Sequence, residues 1–203
     1  MPNIEEHVRD FREAVLSGVD RAFVEIEAPA PEEELVLLEE SLGQPLPADL
    51  RELWGVSGSG YWSFSQPLFS PVESIEMSGL WEEILSEWSP APESELQFGT
   101  KFVAFGAPPG EDILYLLDGP DAGAIGLFDS QDAMFPTKLA NTLDHYLAVV
   151  ATLAQAGQLT VRTHTFPDGT RRTEPAWIGS RSGVRYSVPL EMQRTLGVGP
   201  RFL

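Results

Sequence analysis

The sequence predicts an α+β fold in which a mostly antiparallel sheet is backed by helices. Apolar residues recur at helical spacing near the N-terminus, short apolar segments separated by Gly, Pro and Asp follow, and a long amphipathic segment comes after them. The tight turns between neighbouring strand candidates favour antiparallel pairing, because parallel strands need much longer crossover connections. Every element below is consistent with this fold class.

Three helices are predicted in the first 60 residues. The first covers residues 4–17, where apolar side chains are spaced four, three and four apart, and Gly18 ends it. The second follows Pro31, whose ring suits the first turn, while three glutamates meet the positive end of the helix dipole. Gly43 is placed as its C-terminal cap. A Pro-Leu-Pro elbow then leads into the third helix, so the second and third form an αα-hairpin.

The middle of the chain alternates strand and turn signals. In chain order, the predicted elements are a strand over Tyr61–Phe69, a helix over Leu80–Trp88, strands over Lys101–Phe105, Ile113–Leu117 and Ala124–Phe128, and a helix over Leu139–Ala156.

The distribution of charge predicts a boundary near Gly157. Residues 1–60 carry a net charge of -10 and residues 61–157 a net charge of -12, whereas residues 158–203 carry +4. Alternation over residues 159–166 and a turn at Pro167-Asp168-Gly169 predict a β-hairpin after the boundary, followed by a further strand through Tyr186. We therefore expect one domain over residues 1–157 and a basic β-rich extension over 158–203, packed on the first.

Composition excludes several classes of function. With 31 acidic and 13 basic residues and a net charge of -18, the chain is a poor candidate for binding nucleic acid or an anionic membrane. The absence of cysteine excludes disulfides, thiol catalysis and iron–sulfur clusters. No signal peptide and no apolar run of membrane-spanning length is visible, so a cytoplasmic location is expected. An acidic surface is also compatible with a simple role in solubility.

No catalytic, cofactor-binding or metal-binding motif is readable. His7, His145 and His164 fall on three different predicted elements and lack metal-ligand spacing. The run Asp118–Asp121 lacks the alternating acids of a calcium loop, and the glycine-rich segment Gly55–Gly60 has no following Lys-Ser or Lys-Thr. A hydrolase site that assembles only in space stays open as an alternative.

Candidate residues for binding a protein partner are aromatic anchors and acidic side chains beside them. The alternative is that the tryptophans fill the core and that the acids merely solvate helices and loops. The candidates are Trp62, Trp81, Glu82, Glu83, Glu111, Asp112, Asp118 and Asp121.

The elbow between the second and third helices and the third helix itself share one pattern of residues, namely Gly43, Leu46, Pro47, Leu50, Leu53 and Trp54. This pattern resembles the opening signature of the SUKH superfamily, which includes fungal cell-wall regulators and bacterial immunity proteins. The resemblance extends over residues 28–157, but Ser57-Gly58-Ser59-Gly60 stands where members typically have Asn-Gly.

The resemblance implies an α+β fold and a non-enzymatic, protein-binding role without a cofactor. It points to an immunity protein that blocks a basic, nuclease-like toxin domain, with a regulatory scaffold as the alternative. A cationic partner also suits the acidic composition. For the arginines of residues 158–203, contact with the protein's own acidic domain or with a second copy is preferred to contact with nucleic acid.

Overall fold

The computed structural model describes residues 3–18, 28–63, 66–87, 97, 99–106, 111–129, 136–157, 159–165 and 169–177. The helices are α1 (Ile4–Gly18), α2 (Glu32–Leu42), α3 (Ala48–Val56), α4 (Pro71–Glu87) and α5 (Leu143–Gln155). The strands are β1 (Gly60–Ser63), β2 (Gln66–Leu68), β3 (Phe102–Gly106), β4 (Glu111–Leu116), β5 (Ile125–Asp129), β6 (Thr137–Ala140), β7 (Leu159–Thr165) and β8 (Arg171–Trp177).

Strands β1 to β6 form one antiparallel sheet in which the spatial order equals the order along the chain. Strands β7 and β8 form a separate antiparallel pair, from Leu159 opposite Trp177 to Thr165 opposite Arg171. These observations confirm the predicted α+β class and the predicted antiparallel pairing.

Helices cover both faces of the six-stranded sheet. On β4, Ile113 and Tyr115 point into a large core that also holds buried residues of α1, α2, α3 and α5. Leu114 and Leu116 point to the opposite face, into a second core that contains Trp81 of α4. Because both faces are covered, the central strands are apolar at successive positions instead of alternating.

Helix α4 is longer than predicted and begins at Pro71 instead of near Leu80. Its start is a capping box. Ser70 Oγ accepts a hydrogen bond from the Glu73 amide (3.2 Å), and Glu73 Oε2 accepts one from the Ser70 amide (2.8 Å). The single strand predicted over Tyr61–Phe69 is also wrong, because β1 and β2 form a hairpin within this range.

The last helix of the domain starts later than predicted. The segment Thr137–Ala140 is strand β6, and α5 begins at Leu143. Thr142 caps the helix, since its Oγ1 accepts a hydrogen bond from the His145 amide (3.2 Å). Leu139 lies in β6, but its spacing from the apolar residues of α5 happens to match the helical period. Periodicity alone therefore predicts that the helix starts too early.

The predicted hairpin after Gly157 is present as β7 and β8. The further strand predicted through Tyr186 lies outside the described residues, and the domain boundary near Gly157 stays a prediction. No helix among the described residues has the length and apolar character needed to cross a membrane.

Candidate functional site

The elbow between α2 and α3 is held by a small polar network. Gly43 adopts a left-handed conformation (φ 66°), and its amide and that of Gln44 bond to carbonyls in the last turn of α2. Glu39 Oε1 accepts hydrogen bonds from the Leu46 amide (3.0 Å) and from Arg51 Nη1 (2.7 Å). Arg51 also pairs with Glu32, so one guanidinium ties α3 to both ends of α2.

The apolar residues of the same motif lie in the core. Leu50, Leu53 and Trp54 are fully buried, and Leu46 is nearly so. The indole Nε1 of Trp54 donates to the Phe69 carbonyl at 2.9 Å, which connects α3 to the chain after β2. Together with the polar elbow, these contacts give the motif a structural role.

Gly58 lies where two stretches of backbone meet. Its amide donates to the Ala28 carbonyl at 2.8 Å, and the Ala30 amide donates to the Trp54 carbonyl at 2.9 Å. A Cβ at position 58 would lie 2.4 Å from that Ala28 oxygen, closer than any side chain tolerates. A glycine is therefore required in the stretch that replaces the Asn-Gly of the signature.

Two of the acidic candidates bond to the protein itself. Asp118 accepts hydrogen bonds from the amides of Thr100 and Lys101 (2.8 Å each) and from the Thr100 hydroxyl (3.0 Å). Burial raises the pKa of Asp118, but the bonds from Lys101 and Thr100 outweigh it and hold that pKa below its usual value. Asp118 thus fixes the segment that enters β3.

Asp121 has a similar role at the same turn. It accepts hydrogen bonds from the Gln97 amide (2.7 Å) and from Lys138 Nζ (2.6 Å). Burial raises its pKa, but the bonds from Lys138 and Gln97 keep the pKa below its usual value. Because Asp121 is paired with Lys138 of β6 and accepts from Gln97, its carboxylate ties its own turn to β6 and to Gln97 and is not a free acceptor.

The assignment of Trp81 to a contact surface needs correction. Its side chain is 1% exposed and meets Phe128 edge to face, with 5.4 Å between ring centroids. The indole Nε1 donates to Asp112 Oδ2, and Asp112 is itself only 8% exposed. Burial raises the pKa of Asp112 to about 6, and the bond from Trp81 lowers it less than burial raises it. The two candidates form one buried pair.

The structure describes the side chains of two of the remaining four candidates and not those of the other two. Glu82 and Glu83 are exposed on α4, and their side chains make no hydrogen bond or ion pair within the described part of the chain. Trp62 lies in β1 and Glu111 in β4, but their side chains fall outside what the structure describes. Among the candidates whose side chains the structure describes, Trp81 and Asp112 contact each other through a hydrogen bond.

The two histidines whose side chains are described, His7 and His145, belong to no group placed to hold a metal ion. His7 Nε2 lies 3.3 Å from Asp144 Oδ1, which links α1 to the first turn of α5, and His145 is exposed. The side chain of His164 is not described. Among the residues for which side chains are given, no group of three or more histidines and carboxylates is placed to hold a metal ion.

Sequence reasoning missed a surface on α2 and α4, which pack against each other. The two helices carry ten glutamates and neither lysine nor arginine. They also expose large apolar side chains, namely Val36 (39%), Leu37 (50%), Val72 (47%) and Leu80 (47%). We call α2 and α4 together the acidic helix pair. Its signal in the sequence is the absence of basic residues from both segments.

An antiparallel meander with helices on both faces and a capped αα-elbow defines an α+β module. A family model described as SMI1 / KNR4 family (SUKH-1) matches residues 29–149. Because this match covers more than half of the chain, the protein belongs to the SMI1 / KNR4 family (SUKH-1), which confirms the predicted SUKH superfamily membership. A search of curated proteins found no match.

Proposed function

We propose that this SUKH-family protein is an immunity protein that binds a basic, nuclease-like toxin domain and covers its active surface. The observation that carries the proposal is the acidic helix pair, which combines exposed glutamates with exposed apolar side chains and no basic residue. A toxin that must hold phosphate is cationic, and such a surface complements it. We place the action in the cytoplasm, where a nuclease would find its substrate.

The proposed mechanism has two stages and no covalent step. The net charge of -18 attracts a cationic domain over long range and accelerates encounter. Apolar side chains such as Leu37 and Leu80 then lose water on contact, which slows dissociation. Inhibition would follow from occlusion of the toxin, so neither protein would be chemically changed.

Co-expression with the domain encoded by the neighbouring gene tests this proposal. We expect restored growth of cells that produce the domain and a complex that survives gel filtration. The mass of the toxin domain released from the complex should be unaltered, because the inhibitor acts by binding. Growth without complex formation, or a covalently modified toxin, would point to an enzyme instead. If the product of the neighbouring gene is not toxic and this protein instead captures a housekeeping protein, the result would favour the scaffold alternative.

A further inference from the structure

The outward side of α4 forms a continuous exposed stripe. Its members follow helical spacing, while Ser74, Ser78 and Trp81 on the inner side are buried. We call it the outer stripe, and it consists of Val72, Glu76, Gly79, Leu80, Glu83 and Glu87.

Gly79 in the middle of this stripe has no role within the described part of the fold. It lies inside α4 with no positive φ, and a Cβ added there would meet no atom within 4 Å. Glycine in a helix interior lowers the folding equilibrium constant about fivefold relative to alanine. Gly79 therefore makes the protein less stable and leaves a flat spot, without a side chain, on the surface of α4. Such a spot allows a second backbone to approach closely.

The charges around Gly79 define the chemistry of what approaches. The side chains of Glu76, Glu83 and Glu87 are exposed, and their carboxylates make no ion pair or hydrogen bond within the described residues. The nearest apolar members, Val72 and Leu80, are each 47% exposed. An ion pair at the rim of an apolar contact favours a partner that carries lysine or arginine around an apolar side chain.

We propose that the outer stripe is the docking surface for a cationic segment of a protein partner, whose main chain lies over Gly79 and whose apolar side chain packs against Val72 and Leu80. This inference rests on the proposed function, since it takes the partner to be basic. It adds the face that binds and the residue that admits the partner backbone.

The variant Gly79→Gln tests the proposal, because glutamine is a better helix former than glycine but would fill the flat spot. We expect its Tm to rise by about 1 to 3 °C. Its affinity for the toxin domain of the co-expression experiment should fall at least tenfold by calorimetry. The matched control is Gly55→Gln, since Gly55 is also exposed and helical with no atom within 4 Å of an added Cβ, but lies on α3. The control should bind like the unaltered protein.

A second probe separates this inference from the proposed function. An 18-residue amphipathic peptide of lysine and leucine, with a glutamate and leucine peptide as its counterpart, is titrated into the same variants. If the protein binds the lysine peptide better than the glutamate peptide, and Gly79→Gln weakens binding of the lysine peptide, the outer stripe is supported as a docking surface. This holds even if the toxin domain does not bind. If Gly79→Gln and Gly55→Gln bound the toxin domain with equal affinity and also bound the lysine peptide with equal affinity, the outer stripe would not be the docking surface. The proposed function would still stand, because the toxin domain would still be bound. A concentration-dependent dimer that Gly79→Gln abolishes would instead assign the stripe to a second copy and overturn the proposal.

Discussion

Replacement of Trp81 by alanine is expected to lower the free energy of unfolding by about 4 kcal/mol, as truncation of a buried tryptophan usually does. The side chain is 1% exposed and packs against Phe128 in the core between α4 and the sheet. Its loss would also leave the buried carboxylate of Asp112 without its indole donor. Urea unfolding followed by circular dichroism measures the change.

The neighbouring residue provides the matched control. Leu80 precedes Trp81 on the same helix but is 47% exposed, so Leu80→Ala is expected to change the free energy of unfolding by less than about 1 kcal/mol. If the two variants unfolded at similar urea concentrations, Trp81 would belong to the surface and the assignment of the two faces of α4 would be wrong.

Ionisation of Asp112 is expected to lower the free energy of unfolding as pH rises from about 4 to about 7. The buried carboxyl has a pKa of about 6 in the folded protein, whereas in an unfolded chain its pKa returns to the ordinary value of 3.8. Between these values the folded state holds a proton that the unfolded state has released, so raising the pH favours unfolding. Above the folded pKa the loss is complete, at about 3 kcal/mol.

Asp112→Asn isolates this effect from the other titrating groups. The amide keeps an oxygen that accepts from Trp81 Nε1 but does not ionise. Thermal or urea unfolding of both proteins across the pH range should show the unaltered protein losing stability relative to the variant by about 3 kcal/mol. Parallel stability curves would mean that Asp112 ionises in the fold as easily as in water.

The first three helices were predictable because their signals are local. Pro31, the glutamates after it and Gly43 mark the ends of α2 within a short stretch of sequence, and α1 shows a plain apolar stripe. The meander was predictable for the same reason, since Gly, Pro and Asp mark the turns between its strands.

The candidate site was less accessible to sequence reasoning because its contacts are distant along the chain. Asp121 looked like a free acid on a loop, but Lys138 and Gln97 reach it from other segments. On α4, Leu80 and Trp81 are both large and apolar, and packing against the sheet buries Trp81 while Leu80 stays exposed. The capping box formed by Ser70 and Glu73 marks the start of α4, and both of its residues are readable in the sequence.

The salt dependence of the affinity between this protein and the proposed cationic toxin domain tests the central claim most directly. Capture of a cationic partner by the acidic helix pair predicts that the affinity falls more than tenfold between about 50 and about 500 mM NaCl, mostly through slower association. An affinity and an association rate that stay constant over this range would contradict the claim, because contact would then not depend on the glutamates.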